Sequence, residues 1–315
     1  MQYAVFTFHC RFTSKALLSP FKGSALRGLF GHALKKISCT LRLQSCDRCL
    51  LRSTCVYFSM FESRKARSRA STNKPRISTL PLPFVLEPPL ENNRIYNQGD
   101  FFDMRLTLFG NSIRHLPYLV CCVEQMGQDG LGARLKGGRG KFELISIFRN
   151  GRKIYDQNRG ILDQSHEPEN LVLDWPADEP VSMIKIRLET PLRLKFNNRL
   201  TSRISFHILI RACLRRISQL EEAFAHGEPD LDYRGLIALA KNIHTAESNF
   251  KWQEISRYSN RQKTKMQIGG VIGTAIFTGD ITPFMPLLIY CEKTHVGKQT
   301  AFGLGRIKVT PEPDQ

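Results

Sequence analysis

Four of the nine cysteines fall close together, as Cys39, Cys46, Cys49 and Cys55 in the spacing C-x6-C-x2-C-x5-C. Thiolates converging from one loop suit a tetrahedral Zn²⁺, and a C-x2-C pair supplies two of them from a single tight turn. Four sulfur ligands leave no open position, so the expected metal is structural. Arg42, Arg48 and Arg52 lie between the cysteines and would stabilise thiolates or meet a phosphate. The alternative is a set of free thiols. A second chemistry rests on histidine, whose ordinary pKa lies near neutral and suits a general base. Eight histidines are present; His32 stands in Gly31-His32-Ala33 close to Lys35 and Lys36, and His295 stands just before a glycine-rich turn. A third is anion binding. Gly297, Gly303 and Gly305, threaded with Lys298 and Arg306, let backbone N–H groups approach an anion. The same glycine spacing equally suits a turn that only closes a hairpin.

The elements that must position these residues can be read from periodicity. Tyr3–Phe12 alternates as a strand, with His9 expected to face the core. Ser24–Lys36 reads as a helix with Leu26, Leu29, Phe30 and Ala33 on one face. Gly28 and Gly31 cost this helix stability, which implies close approach of a sheet or of a ligand. Residues 62–80 carry six lysines and arginines among serines, as a basic loop does. Leu80 to Pro89 reads as an extended connector, and Asp103–Phe109 as a strand. Val181–Leu194 reads as a strand or hairpin. Ser202–Ala225 reads as a helix burying Phe206, Leu209, Ile210, Cys213, Leu214 and Ile217. His115, His166, His207, His226 and His244 have no supporting motif, and core or surface roles are expected for them.

An internal repeat organises the whole. Phe109-Gly110, Leu116-Pro117-Tyr118-Leu119, Gly130-Leu131-Gly132 and Gly138-Arg139-Gly140 match in outline Phe277, Gly279, Pro286-Leu287-Leu288, Gly297 and Gly303-Leu304-Gly305. Two β-α-β-β-α-β units follow, an α+β fold of tandem ferredoxin-like (RRM-like) domains with glycine-rich loops and a small zinc-binding insert. The boundary is expected in the proline-bearing stretch 164–180. That gives a first domain over 1–175 with the cysteine insert at 39–55, and a second over 176–315.

Composition bounds the partner. The chain has 315 residues, 46 Lys+Arg against 28 Asp+Glu, a net charge of +18 and a pI near 9.7. Such an excess points first to nucleic acid and second to an anionic membrane surface. No apolar run is long enough to span a bilayer, and MQYAVFTFHC reads as a strand rather than a signal peptide, so a cytoplasmic protein is expected. An odd cysteine count there argues for thiols or a metal over a disulfide framework.

The segment Arg257-Tyr258-Ser259, Arg261-Gln262, Gly269-Gly270, Gly273, Gly279-Asp280, Pro283-Phe284, Pro286-Leu287-Leu288, His295-Val296-Gly297-Lys298 and Phe302-Gly303-Leu304-Gly305 resembles the carboxy-terminal signature of a known family. That family is the CRISPR-associated endoribonucleases that process precursor crRNA, the sixth Cas protein family, within the RAMP superfamily. The resemblance covers the last sixty or so residues densely and recurs near the amino terminus. It implies tandem ferredoxin-like domains and cleavage of CRISPR repeat RNA without a catalytic metal. In that chemistry the ribose 2′-OH attacks phosphorus, leaving a 2′,3′-cyclic phosphate and a 5′-OH, and the product stays bound for other Cas effector subunits. It implies a catalytic histidine in or before the first helix, hence His32 assisted by Tyr3, with His295 as the rival or as a positioning group. Phosphate partners would be Lys22, Arg27 and Lys35. RNA would lie in a groove lined by Arg139 and Lys141 from the first domain. Arg257, Arg261, Gly297, Lys298, Gly303, Gly305 and Arg306 would line it from the second, with bases stacking on Tyr258 or Phe302. The four-cysteine insert marks a subset of the family. Two other readings stand: a noncatalytic RNA-binding RAMP subunit of an effector complex, and a zinc-bearing nucleic-acid-binding regulator.

Overall fold

The computed structural model describes residues 1–41, 44–62, 80–165, 167–175, 180–259 and 264–312. The predicted basic loop, Arg42, His166 and Arg261 therefore lie wholly or almost wholly outside the described residues. The chain divides into two compact units, Gln2–Glu169 and Asn170–Gln315, with Met1 joining the latter.

In the first unit the order is β1 (Gln2–Phe12), α1 (Gly23–Ser38), β2 (Phe84–Glu87), β3 (Phe101–Phe109), α2 (Leu116–Asp129) and β4 (Phe142–Arg149). The sheet runs β4-β1-β3-β2, all antiparallel, and Arg152–Asp156 (β5) and Ile161–Leu162 (β6) extend it beyond β4. This is the ferredoxin arrangement, in which helices cover one face. Strand alternation decides which residues they cover: Ala4, Phe6, Phe8, Cys10 and Phe12 of β1 are all buried. Leu26, Phe30, Ala33 and Leu34 of α1 are buried at helical spacing. Two expectations change here. Phe84-Val85-Leu86, expected in a connector, is buried and pairs with β3 as the second strand of the unit. Pro83 and Pro88 confine it to four residues. His9 is on the other face from the core, because its odd position along β1 turns it outward, and its side chain is 35% exposed.

In the second unit the order is β7 (Met183–Leu192), α3 (Phe206–Phe224), β8 (His244–Ser248), β9 (Gly270–Thr278), α4 (Met285–Thr294) and β10 (Ile307–Pro311). The sheet order β8-β9-β7-β10 repeats the first unit's topology. The expected α3 stripe of Phe206, Leu209, Ile210, Cys213, Leu214 and Ile217 is buried throughout. A tandem ferredoxin-like α+β chain is the observed architecture. The repeat is not uniform, however. The first unit's glycine segment forms a hairpin (131–140) under Ala16 and Leu17, whereas the second unit's forms a short 3-10 turn. Among the described residues no helix is long and apolar enough to cross a membrane.

Candidate nucleic-acid interface

The α1 surface displays His32, Lys35 and Lys36, all exposed. Lys36 pairs with Asp129 at 2.8 Å. Lys35 lies 5.4 Å above the Tyr57 ring, and the Arg27 guanidinium lies 4.9 Å above Phe61, so both cations rest on aromatic faces of the segment after the cysteines. Gly31 is small because Phe61 is there: a Cβ would meet its ring at 3.0 Å. Gly28 has open space around it, so protein packing does not explain it.

Lys22 and Tyr3 are placed differently from a phosphate partner and a proton-transfer assistant on a surface. Lys22 is 1% exposed and its Nζ donates to the Glu91 carbonyl at 2.6 Å. Burial holds the ammonium below the ordinary lysine range, against the opposing pull of Glu91. The Tyr3 hydroxyl donates to the Glu169 carboxylate at 2.8 Å, and burial together with that bond pushes its pKa up to about 12. In the 131–140 hairpin the Arg139 guanidinium donates to the Gly132 carbonyl, while Lys141 is exposed.

The glycine turn of the second unit is drawn inward. Gly297, Gly303 and Gly305 all have positive φ, and a Cβ on Gly305 would sit 1.8 Å from the Val296 carbonyl oxygen. Its amides are largely spent within the protein. Lys298 N–H donates to Arg193 O at 2.9 Å, Gly303 N–H to Thr300 O at 2.8 Å, and Gly305 N–H to Pro191 O at 3.1 Å. His295 closes the turn: it is 1% exposed, sits at φ +58°, and its Nδ1 lies 3.1 Å from the Leu304 carbonyl. A carbonyl only accepts, so Nδ1 carries the proton. Phe302 is 9% exposed and is covered by Arg257, whose guanidinium is 4.7 Å from its centroid. Burial lowers the Arg257 pKa. Arg306 pairs with Glu189 at 2.7 Å. Of the expected groups on this turn, Lys298 is the cation left facing a basic surface.

That surface was missed by motif reading. Burial first, then the charges of Lys195, Arg215 and Arg193, hold the Lys298 pKa below its ordinary value, so four cations crowd one place. Arg193 also donates to Gly269 O at 2.6 Å, bracing the turn. Among the described residues no carboxylate is within ion-pair distance of Lys195, Arg211, Arg215 or Lys298. Lys195 comes from a hairpin, Leu194–Phe196 with Arg199–Thr201, turned by Asn197 and Asn198 at positive φ. Arg211 and Arg215 share one stripe of α3 with His207, at spacing four, opposite the buried stripe. The Arg211 guanidinium lies 5.7 Å over Phe196, whose ring meets His207 edge-on at 6.0 Å. His207 Nδ1 lies 3.0 Å from Ser205 Oγ, and burial, with Lys241 and Arg211, biases its imidazole toward the neutral form. Crowded cations, an aromatic ring and a neutral imidazole suit a phosphate-bearing strand.

Among the described residues no cysteine is in a disulfide, and Cys39, Cys46, Cys49 and Cys55 are all half-buried. Burial raises the Cys46 pKa, Lys35 opposes that rise, and Glu62, Cys39 and Cys55 add to it. The turn at Cys46–Arg48 closes with Cys49 N–H donating to Cys46 O at 3.4 Å. Among the described residues no three ligating side chains are already gathered around a point. Four sulfur donors are of the type that suits zinc.

Known proteins share this architecture. Residues 1–169 match the AF_1859_N family, described as an N-terminal domain, and residues 186–307 match the CRISPR-associated endoribonuclease Cas6 family. An uncharacterised protein of Archaeoglobus fulgidus is 24% identical over 93% of this chain and 92% of its own length. Among solved structures, Thermus thermophilus Cas6 (TTHB231) aligns over 98% of this chain and 98% of its own at 13% identity and a TM-score of 0.56. A Cas6 (TTHA0078) product complex aligns over 98% of this chain and all of that one at 14% identity and a TM-score of 0.53. At such identities the structural likeness establishes the fold.

Proposed function

From the match of residues 186–307 to the CRISPR-associated endoribonuclease Cas6 family we propose that this Cas6-type chain cuts CRISPR repeat RNA to mature crRNA and keeps the product for other Cas proteins. The observation that carries the reading is the cluster of Arg193, Lys195, Arg215 and Lys298 at the glycine turn, inside residues 186–307, which match Cas6. The proposed step is metal-independent. A histidine takes the proton of the ribose 2′-OH, the 2′-oxygen bonds to phosphorus, and the bond to the 5′-oxygen breaks as that oxygen gains a proton. The products are a 2′,3′-cyclic phosphate and a 5′-OH, and cations stabilise the crowded phosphorane between.

His32 is the first candidate base because it is exposed on a basic helix face. His207 is the second, since its neutral bias leaves it able to accept a proton. His295 is better suited to holding the turn, its ring being bonded to Leu304 O. The test is cleavage of labelled cognate repeat RNA in excess EDTA by wild type and by His32→Ala, His207→Ala and His295→Ala, beside a substrate carrying 2′-deoxy at the scissile position. Cutting by wild type with survival of the deoxy substrate supports the mechanism, and the alanine variant that binds without cutting identifies the base. Tight binding with no cutting by wild type sinks it in favour of a noncatalytic RNA-binding subunit. We also propose that Cys39, Cys46, Cys49 and Cys55 hold one structural Zn²⁺, supported by their donor set and its C-x2-C spacing.

A further inference from the structure

The open face of the first sheet carries a group of side chains that the cleavage reading does not use. Register places His9 opposite Asp103 and Arg11 opposite Phe101 on adjacent strands β1 and β3. His9 Nδ1 lies 2.6 Å from Asp103 Oδ1. A carboxylate only accepts, so Nδ1 carries the proton and the ring is fixed in orientation. The imidazole lies flat on Phe101, with centroids 4.8 Å apart and planes 12° apart. Phe101 is nonetheless 49% exposed, an aromatic face kept in water. The Arg11 guanidinium stands 6.0 Å from the same ring and pairs with Glu143 at 2.6 Å.

Beside this stack opens a cavity of about 330 Å³ lined by His9, Pro89, Leu90, Glu91, Phe101, Phe102 and Asp103. Its walls combine apolar and aromatic surface with two carboxylates. The Glu91 carboxylate already accepts from Tyr96 Oη at 3.1 Å, and the Glu91 carbonyl accepts from Lys22. These acids disfavour a phosphate here, although the rest of the chain is strongly cationic. A planar group that stacks and donates hydrogen bonds is what the walls match. Guanine is the nucleobase with two adjacent donors, N1–H and N2–H₂, on one edge, the counterpart of a carboxylate fork. Ferredoxin-like sheets that bind RNA read single strands by stacking unpaired bases on aromatics of the open face.

We propose that Phe101, His9 and Asp103 form a subsite for one unpaired guanine of the RNA, stacked on the Phe101–His9 pair and hydrogen-bonded to the Asp103 carboxylate. The subsite rests on the reading of the chain as an RNA-binding protein but not on whether it cleaves. It captures a single-stranded stretch of RNA, with the backbone left to basic residues elsewhere.

The experiment uses the full chain and a fluorescent heptaribonucleotide of uridines with one central guanosine, compared with probes whose central position is inosine or abasic. Stacking is worth about a tenfold change in binding per base, so the abasic probe is expected to bind about tenfold more weakly. Inosine, lacking the 2-amino group, should bind about threefold more weakly. Phe101→Ala should shrink the difference between guanosine and abasic probes severalfold, and Asp103→Asn should remove the difference between guanosine and inosine. Both positions are solvent-accessible, and thermal melts matching wild type establish that the variants fold. Equal binding of all three probes by wild type overturns the subsite, as does discrimination that survives undiminished in both variants. Cleavage of repeat RNA is scored separately. Base discrimination in a protein that never cuts keeps the subsite and sinks cleavage; cutting without discrimination does the reverse.

Discussion

The basic cluster makes a quantitative prediction about salt. Each cation that meets a phosphate releases a condensed counterion, which steepens the fall of log K with log salt by about 0.7 to 0.9. Lys195 and Arg215 are exposed members of the cluster around Lys298, and no carboxylate pairs with either among the described residues. The double variant Lys195→Ala/Arg215→Ala should therefore flatten the slope by about 1.4 to 1.8. Between 50 and 200 mM salt, wild type should lose roughly ninefold more affinity than the double variant. Lys308, paired with Glu292 at 2.6 Å, provides the control, since its replacement by alanine should leave the slope where it was. Fluorescence anisotropy with one labelled repeat RNA across four salt concentrations measures all three. Parallel slopes for wild type and double variant would refute the argument even if affinity fell, because affinity alone can fall through altered packing. A slope change in Lys308→Ala as large as the double variant's would refute it too, showing that general charge, not this cluster, sets the dependence.

Other outcomes follow from single contacts. Gly305→Ala should destabilise the fold by about 2–4 kcal/mol in a denaturant melt, since its Cβ meets the Val296 carbonyl at 1.8 Å and its φ is +75°. Gly28→Ala should stabilise by about 0.5–1 kcal/mol, because it sits in an exposed helix with room for a methyl; if it also weakens RNA binding, RNA and not packing explains that glycine. NMR titration should find the His207 pKa below the ordinary imidazole value, and bound RNA should raise it by bringing phosphates close. The sign for stability is fixed by the same shift. The unfolded chain takes up the proton first as pH falls, so His207 costs stability below its unfolded pKa, and His207→Asn should be less sensitive to acid there. Purified protein should contain one zinc by elemental analysis, and chelation should lower the melting temperature of wild type but not of a Cys46→Ser/Cys49→Ser variant.

Local pattern carried the fold well because both kinds of element announce themselves by period. The α3 stripe is spaced 3.6 apart, and β1 alternates with period two, so both helix and strand were legible without any partner. Phe84–Glu87 was not legible as a strand, because proline neighbours dominate its local signal and only pairing with Phe101–Phe109 makes it one. The site was harder for a related reason. Types and spacing identify which residues are cationic or flexible, yet not where their donors point. Lys22 reads as a phosphate partner until its ammonium is seen bonded to the carbonyl of Glu91, sixty-nine positions away. The glycine turn reads as an anion cradle until its amides are seen donating to Pro191 and Arg193.

What the turn does chemically follows from that inward bonding. By stitching itself to the end of β7, it holds Lys298 against the hairpin that carries Lys195 and the helix that carries Arg215. Lys298 lies about a hundred positions from Lys195 and about eighty from Arg215 in sequence, and no motif joins the three. Their mutual repulsion is a cost the fold sustains in the absence of an anion. Bound phosphate would relieve it, and the relief adds to affinity by an amount absent from a basic patch whose charges are far apart. On the proposed function the glycines would serve RNA indirectly: their positive φ and lack of a Cβ permit the inward-bonded turn, and that turn holds Lys298 beside the other cations.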